Sequence, residues 1–178
     1  MGEKQIVESF ARQSAAFRPL AQQVRSGARS RMVWFVALCG FVILNGKTLW
    51  DSIAQAYFSG LPLALLIFPW VIAALFAVIT HFIIDEVDAR DNLYIAHQSA
   101  ALDLYLESLD EGDADPREMI AIMHDSTDEL KAAKSELDKY SKRAQLFERI
   151  TFACVVAGFV WSLVGPFLLV YIIRSGLT

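Results

Sequence analysis

The sequence lacks the short motifs that mark the common enzyme classes. It contains no glycine-rich phosphate loop, no Gly-x-Ser-x-Gly nucleophile motif, no His-Glu-x-x-His zinc motif and no Cys-x-x-Cys pair. Each of these chemistries needs its residue types at a fixed spacing, and that spacing does not occur. We therefore expect a protein that is not an enzyme and that carries no cofactor.

Residues that bind metals or take part in redox chemistry are also scarce. The two cysteines, Cys39 and Cys154, both fall in apolar stretches, where a thiol resists ionisation and serves as a small packing residue. His81 and Asp85 stand four residues apart and are weak candidates for metal ligands. Two ligands do not make a site, because a structural zinc ion takes four. The sequence therefore predicts no metal centre.

Charged residues are absent from two long apolar runs, 61–84 and 152–173, and from a shorter run at 32–46. Each long run exceeds the roughly 20 helical residues that cross a hydrocarbon core of about 30 Å. This pattern predicts an all-α integral membrane protein with the lipid bilayer as a partner. The expected transmembrane helices are 32–50, 61–84 and a third within 150–178, which ends in a short tail.

Basic residues are unevenly distributed and predict an orientation. Residues 1–31 are rich in arginine, and further lysines and arginines lie between 131 and 149, whereas the opposite side has Lys47 and Arg174. Because cytoplasmic segments carry the excess of basic residues, we expect the N-terminus and residues 85–149 in the cytoplasm and the C-terminus outside. A bacterial inner membrane fits this pattern. The arm lacks the interleaved aromatic residues of a nucleic-acid interface, so no nucleic-acid partner is expected.

The arm 1–31 has modest amphipathic character. Its apolar residues Ile6, Phe10, Phe17, Leu20 and Val24 recur at helical spacing, with arginines between them. Two interpretations are open. The arm could lie in the plane of the inner leaflet, or it could pack on the charged segment that separates the second and third spans.

That charged segment, 85–149, is predicted to form an antiparallel helical hairpin with its turn at 110–116. The turn region is rich in Asp, Gly and Pro. The returning helix shows alternating three- and four-residue steps between apolar positions, as in a coiled-coil seam. The seam residues are Met123, Leu130, Leu137, Tyr140 and Phe147.

The outgoing helix of the hairpin has more apolar residues than one partner can cover. Leu102 and Leu106 represent this surplus, and a helix that is apolar on more than one side needs a second neighbour. We expect a face for self-association or for a cytoplasmic protein partner. The alternative is that the arm 1–31 folds over it.

Four carboxylates follow the second apolar run closely, and three of them share one helical arc. These three, Asp85, Asp88 and Asp91, form what we call the acidic cluster. In a symmetric oligomer they could ring a pore mouth and attract cations. The plainer alternative is a solvated helix with ordinary salt bridges.

Small residues recur every four positions on the spans. Cys154, Gly158 and Ser162 form one such ridge, and Ala73 with Ala77 form another. Small residues let helices approach closely in lipid, where packing drives association. The pattern predicts close helix packing without identifying the partner, and Ala73 with Ala77 is a candidate for the pair that faces the third span.

These observations favour a homo-oligomeric membrane protein whose hairpin mediates assembly or docks a cytoplasmic partner, as a scaffold does. The alternatives are a small cation-conducting or membrane-disrupting effector gated by the hairpin, and an accessory subunit of a larger membrane complex.

Overall fold

The structure is a computed structural model that describes residues 3–57, 63–112, 114–124 and 127–176. The described residues are helical apart from short connections, with no strand among them. This confirms the predicted all-α class. The four helices are α1 (Glu3–Tyr57), α2 (Leu63–Glu111), α3 (Pro116–Met123) and α4 (Asp128–Ser175).

Three of these helices, α1, α2 and α4, are long and apolar enough to cross a membrane. Most of their apolar surface points outward, since only 17% to 28% of the most apolar window of each helix is buried inside the protein. Outward-facing leucines and phenylalanines in such numbers would be unfavourable in water and are expected in lipid. The three apolar helices thus indicate membrane localisation.

The chain divides into two compact units, and each of the long helices contributes to both. Unit 1 comprises Met1–Ala28 and Ile83–Ala144, and unit 2 comprises Arg29–Phe82 and Gln145–Thr178. The helix α1, Glu3–Tyr57, includes residues of the predicted arm and of the first apolar run.

Unit 1 has a core of large side chains from all four helices. Its three most buried members are Val7, Tyr105 and Leu130, each 1% exposed. Phe10 of α1 packs against this core from outside. The amphipathic arm thus packs on the segment between the apolar runs, as one of the two interpretations proposed. The buried core residues are Val7, Leu102, Tyr105, Met119, Ile122 and Leu130.

The segment that returns toward the third apolar run is not a single helix. It begins with α3, where the Asp115 side chain accepts a hydrogen bond from the Arg117 amide and Pro116 occupies the first turn. This helix ends at Met123, and α4 starts again at Asp128. The Thr127 hydroxyl accepts from the Leu130 amide at 3.4 Å, which is an N-cap contact. The expected two-helix hairpin is replaced by three helices for this reason.

Unit 2 has a core of small side chains around one large one. Trp70 is 1% exposed and packs with Cys39, Ala73 and Val155, which come from all three helices of the unit. Because alanine and cysteine occupy little space, the helix backbones can approach closely around the indole.

Pro69 lies inside α2, where it has no amide hydrogen to donate to the carbonyl of Leu65, four residues earlier. That carbonyl instead accepts a hydrogen bond from the Trp161 indole Nε1 at 2.8 Å. The indole lies over Gly165 so closely that a Cβ at that position would come within 2.7 Å of Trp161 Cδ2. A proline on one helix is therefore accommodated by a tryptophan and a glycine on another.

Candidate functional site

The most exposed apolar surface of unit 1 lies on α1. Phe17, Leu20 and Val24 are 70%, 60% and 64% exposed, although they are large apolar side chains on a well-formed helix. At about 100° per residue they share one face. Sequence analysis included these residues in the amphipathic pattern, but periodicity alone could not separate the face that packs, with Val7, from the face that stays open.

This face follows a heptad repeat, in which Phe10 is half-buried against the core of unit 1 and the other five positions are exposed. Its six positions form two rows with seven-residue spacing, and successive positions alternate between steps of four and three residues, as coiled-coil seams do. Gln13 is the single polar member, and no charged residue interrupts the set. We call it the heptad face: Ile6, Phe10, Gln13, Phe17, Leu20 and Val24.

The predicted partner face on α2 is covered within unit 1, whereas the face of α1 is exposed. Leu102 is 7% exposed and belongs to the core of unit 1. Leu106 is half-buried against that core. The arm of α1 covers this side of α2, as the alternative interpretation proposed, so Leu102 and Leu106 do not form a free docking surface. Among the large apolar residues of α2 in this region, Leu104 points outward and is 68% exposed.

The acidic cluster is partly engaged by a single arginine. Asp88 and Asp91 both form ion pairs with Arg25 of α1, and the three side chains are 18% to 26% exposed. Asp85 lies on the exposed surface. Two of the three carboxylates that were considered for a pore mouth thus share one guanidinium, which balances one of their two negative charges within unit 1. The arginine could not be found from sequence spacing, because it comes from a distant helix.

Two further charged residues on this part of α2 contact each other, and one of them also contacts a tyrosine of α4. Glu86 pairs with Arg90 at 2.9 Å, one turn later. The Arg90 guanidinium also lies 5.2 Å from the centre of the Tyr140 ring, within the range of a cation–π contact. Tyr140 is thereby held between α2 and its own helix, where Arg143 lies 5.6 Å from the same ring.

His81 and Asp85, the weak candidates for metal ligands, belong to no group of three potential ligands in the part of the chain that the structure describes. His81 belongs to unit 2 and is half-buried beside Val36, Val78 and Phe82, which are apolar. Among the residues that the structure describes, no group of three potential metal ligands occurs. Nothing in this arrangement resembles the ligand set of a structural or catalytic metal.

The predicted seam residues belong to two different units. Leu130 is fully buried, whereas Leu137 and Tyr140 are half-buried, all in unit 1. Phe147 belongs to unit 2, where its ring centre lies 6.2 Å from that of Phe76. The side chain of Met123 lies outside the described part of the structure. Leu130 thus belongs to the core of unit 1, whereas Phe147 contacts Phe76 within unit 2.

The predicted small residues of α2 and α4 lie against one another around Trp70. Ala73 and Ala77 are fully buried, and Cys154 is half-buried. Gly158 faces the indole, since a Cβ there would come within 3.3 Å of its ring atoms. The Trp70 Nε1 donates to the Ser162 hydroxyl at 2.9 Å. Sequence analysis identified the small residues but not the tryptophan that they accommodate.

A buried pair of hydroxyls joins the same two helices. Thr80 and Thr151 are both fully buried, and their hydroxyl oxygens are 2.8 Å apart. Each hydroxyl is also within 2.8 Å of a carbonyl one turn earlier in its own helix. One hydroxyl can donate to its carbonyl while the other donates across the interface, so both groups are satisfied without water.

No protein-family model, curated protein or solved structure matches this chain.

Proposed function

We propose that this chain is a non-enzymatic membrane protein that assembles with further copies of itself, and that the heptad face of α1 is the contact between copies. The observation that supports this proposal most directly is the exposure of Phe17, Leu20 and Val24 on an uncharged heptad repeat. Burying a side chain of this size is worth about 1.5 to 3 kcal/mol. Such a face is costly to leave in water.

A second copy of the chain fits this face better than other occupants. Copies in one membrane share the same orientation, so their α1 helices can run parallel, as the strands of a parallel coiled coil do. The face carries no charge, so two copies meet without repulsion. A single polar residue at a seam position, here Gln13, resembles the device that sets register in coiled coils.

The pairing of Asp88 and Asp91 with Arg25 favours assembly over conduction as the function. Rings of carboxylates attract cations when their charge is uncompensated, and here one guanidinium balances part of it. We therefore propose a scaffold that has unit 1 as its assembling module and that docks a cytoplasmic partner.

The test is cysteine cross-linking combined with the mass of the detergent-extracted particle. In a background with Cys39→Ala and Cys154→Ala, Leu20→Cys is expected to give a covalent dimer with a short cross-linker. Ser26→Cys, exposed on another face of the same helix, is the matched control and should not. A wild-type protein that is monomeric at all concentrations would overturn the proposal.

A second pair of variants separates loss of assembly from loss of folding. Leu20→Asp is expected to convert the particle to a monomer with an unchanged helical circular dichroism spectrum. Leu104→Asp alters an equally exposed leucine of unit 1 outside the heptad face and should leave the particle mass unchanged. If both variants dissociate the particle, or neither does, the heptad face is not the contact.

The proposed orientation, with unit 1 in the cytoplasm, is tested with two single-cysteine variants in the same cysteine-free background. Ser26→Cys is expected to react with an impermeant thiol reagent only after the cells are permeabilised, and Asp51→Cys to react in intact cells. The reverse pattern would place unit 1 outside the cytoplasm and would remove a cytoplasmic partner from consideration.

A further inference from the structure

A groove of about 430 Å³ opens on unit 2 between α1 and α4. It joins two kinds of surface, because one part of its lining is charged or polar and the other is aromatic. The charged and polar residues are Arg31, Gln145, Glu148 and Arg149, and the aromatic residues are Phe35 and Phe152.

The charged part of the groove has an excess of positive charge. Arg31 donates to Glu148 Oε1 from Nε at 3.0 Å and from Nη2 at 2.6 Å. A guanidinium has five N–H donors, so this pair does not exhaust Arg31. Arg149 is exposed and forms no ion pair with any residue that the structure describes. Two arginines against one glutamate leave one net positive charge at the groove.

The groove lies where both helices change from polar to apolar. Arg31 is the last charged residue of α1 before Lys47, and Arg149 is the last charged residue of α4 before Arg174. Phe35 and Phe152 follow them by about one helical turn, and Phe152 is 59% exposed. A molecule that filled the groove would meet guanidinium groups at one end and aromatic rings at the other.

We infer that this groove binds an anionic phospholipid, with its phosphate between Arg31 and Arg149 and an acyl chain against Phe35 and Phe152. Arginine binds phosphate with paired N–H donors, and basic pockets between membrane helices on the cytoplasmic side bind anionic headgroups. The aromatic part of the groove favours a lipid over a soluble phosphate, because a soluble phosphate has no acyl chain to contact the two rings. A choline headgroup would bring its own positive charge toward Arg149 and bind less well.

The test is native mass spectrometry of the detergent-purified protein titrated with phosphatidylglycerol or phosphatidylcholine. We expect the wild type to retain phosphatidylglycerol more tightly, and Arg149→Gln to weaken this by about fivefold, the loss of one surface arginine contact. Lys142→Gln removes the same charge from the same helix outside the groove and is the matched control. Equal retention of the two lipids, or equal loss in both variants, would overturn the inference.

The aromatic half is tested separately. Phe152→Ala is expected to weaken phosphatidylglycerol binding while the protein keeps its helical content, and millimolar glycerol phosphate should not displace the lipid from the wild type. If glycerol phosphate or inorganic phosphate displaces the lipid readily, the groove is a site for a soluble anion. If Phe152→Ala binds the lipid as the wild type does, the acyl chain does not lie there. Neither result bears on the heptad face, so the two proposals fail independently.

Discussion

Unit 1 and unit 2 are built from the same long helices, yet they differ in the side chains that they bury. Unit 1 encloses large residues such as Tyr105 and Leu130 and also contains the ion pairs of Arg25. Unit 2 encloses mainly small residues, alanine, cysteine and threonine, together with Trp70 and Met32. It leaves leucines such as Leu163, 73% exposed, on its outside.

If unit 2 lies in the membrane and unit 1 in water, as we propose, the difference follows from the solvent that each set of side chains meets. In water, burying large apolar groups drives folding, at about 25 cal/mol for each Å² removed from water. Among lipid chains a leucine gains nothing by moving inward, so helices associate through close packing and interhelical hydrogen bonds. The Thr80–Thr151 pair and the Trp70–Ser162 bond are contacts of that kind.

The largest effect is expected from truncating the core of unit 1. Leu130→Ala removes a fully buried side chain and should lower the free energy of unfolding of unit 1 by about 2 to 5 kcal/mol, because it loses transfer free energy and leaves a cavity. Hydrogen exchange of residues 128–144 would measure this. Leu163→Ala, which truncates an outward leucine of unit 2, should change little in lipid. A similar loss of unfolding free energy in both variants would contradict the proposal that the two units lie in different solvents.

A smaller loss is expected when the arginine that pairs with the acidic cluster is removed. Arg25→Gln leaves Asp88 and Asp91 close together without their shared cation. We expect a loss of about 1.5 to 3 kcal/mol, the range for hydrogen bonds to charged groups. The same exchange experiment on unit 1 measures it. Arg25→Lys keeps the charge but not the planar fork and should recover part of the loss. No loss in Arg25→Gln would mean that the ion pairs do not stabilise unit 1.

The smallest effect is expected at the hydroxyl pair of unit 2. Thr80→Val keeps the shape of the side chain and removes the bond to Thr151. Interhelical hydrogen bonds in membrane proteins average about 0.6 kcal/mol and reach about 1.7 kcal/mol. Denaturation of the reconstituted protein by sodium dodecyl sulfate would measure the change, with Thr80→Ser as the control that keeps the hydroxyl. A cost equal to that of Leu130→Ala would show that polar contacts dominate unit 2.

Sequence analysis predicted the features that depend on local pattern. Three uncharged apolar runs indicated three apolar helices, which the structure confirms. Composition also indicated the connection near 110–116, where α2 ends, Gly112 adopts a positive φ of 83° and Asp115 caps α3. One local signal was missed. The sequence Ser-Thr-Asp-Glu at 126–129 is a helix start, and it explains why α4 is separate from α3.

Features that depend on contacts between helices could not be predicted in the same way. Arg25 and Asp91 are 66 positions apart in the chain, and no periodicity links them. The heptad pattern of α4 does not reveal that Leu130 lies in unit 1 and Phe147 in unit 2. The amphipathic pattern of α1 does not show which face packs and which stays open, because both faces contain apolar residues.

The hydrogen bond between Trp161 and the Leu65 carbonyl predicts that substitutions at three positions depend on one another. Pro69 leaves the Leu65 carbonyl without its usual amide donor, and the indole of Trp161, 96 positions after Leu65, donates in its place. The indole can lie against the helix there because position 165 is glycine. A homologue with an ordinary amide at position 69 has no such need, and its residues at 161 and 165 are free to diverge. These three positions should therefore change together over evolution, although no two of them are neighbours in the sequence.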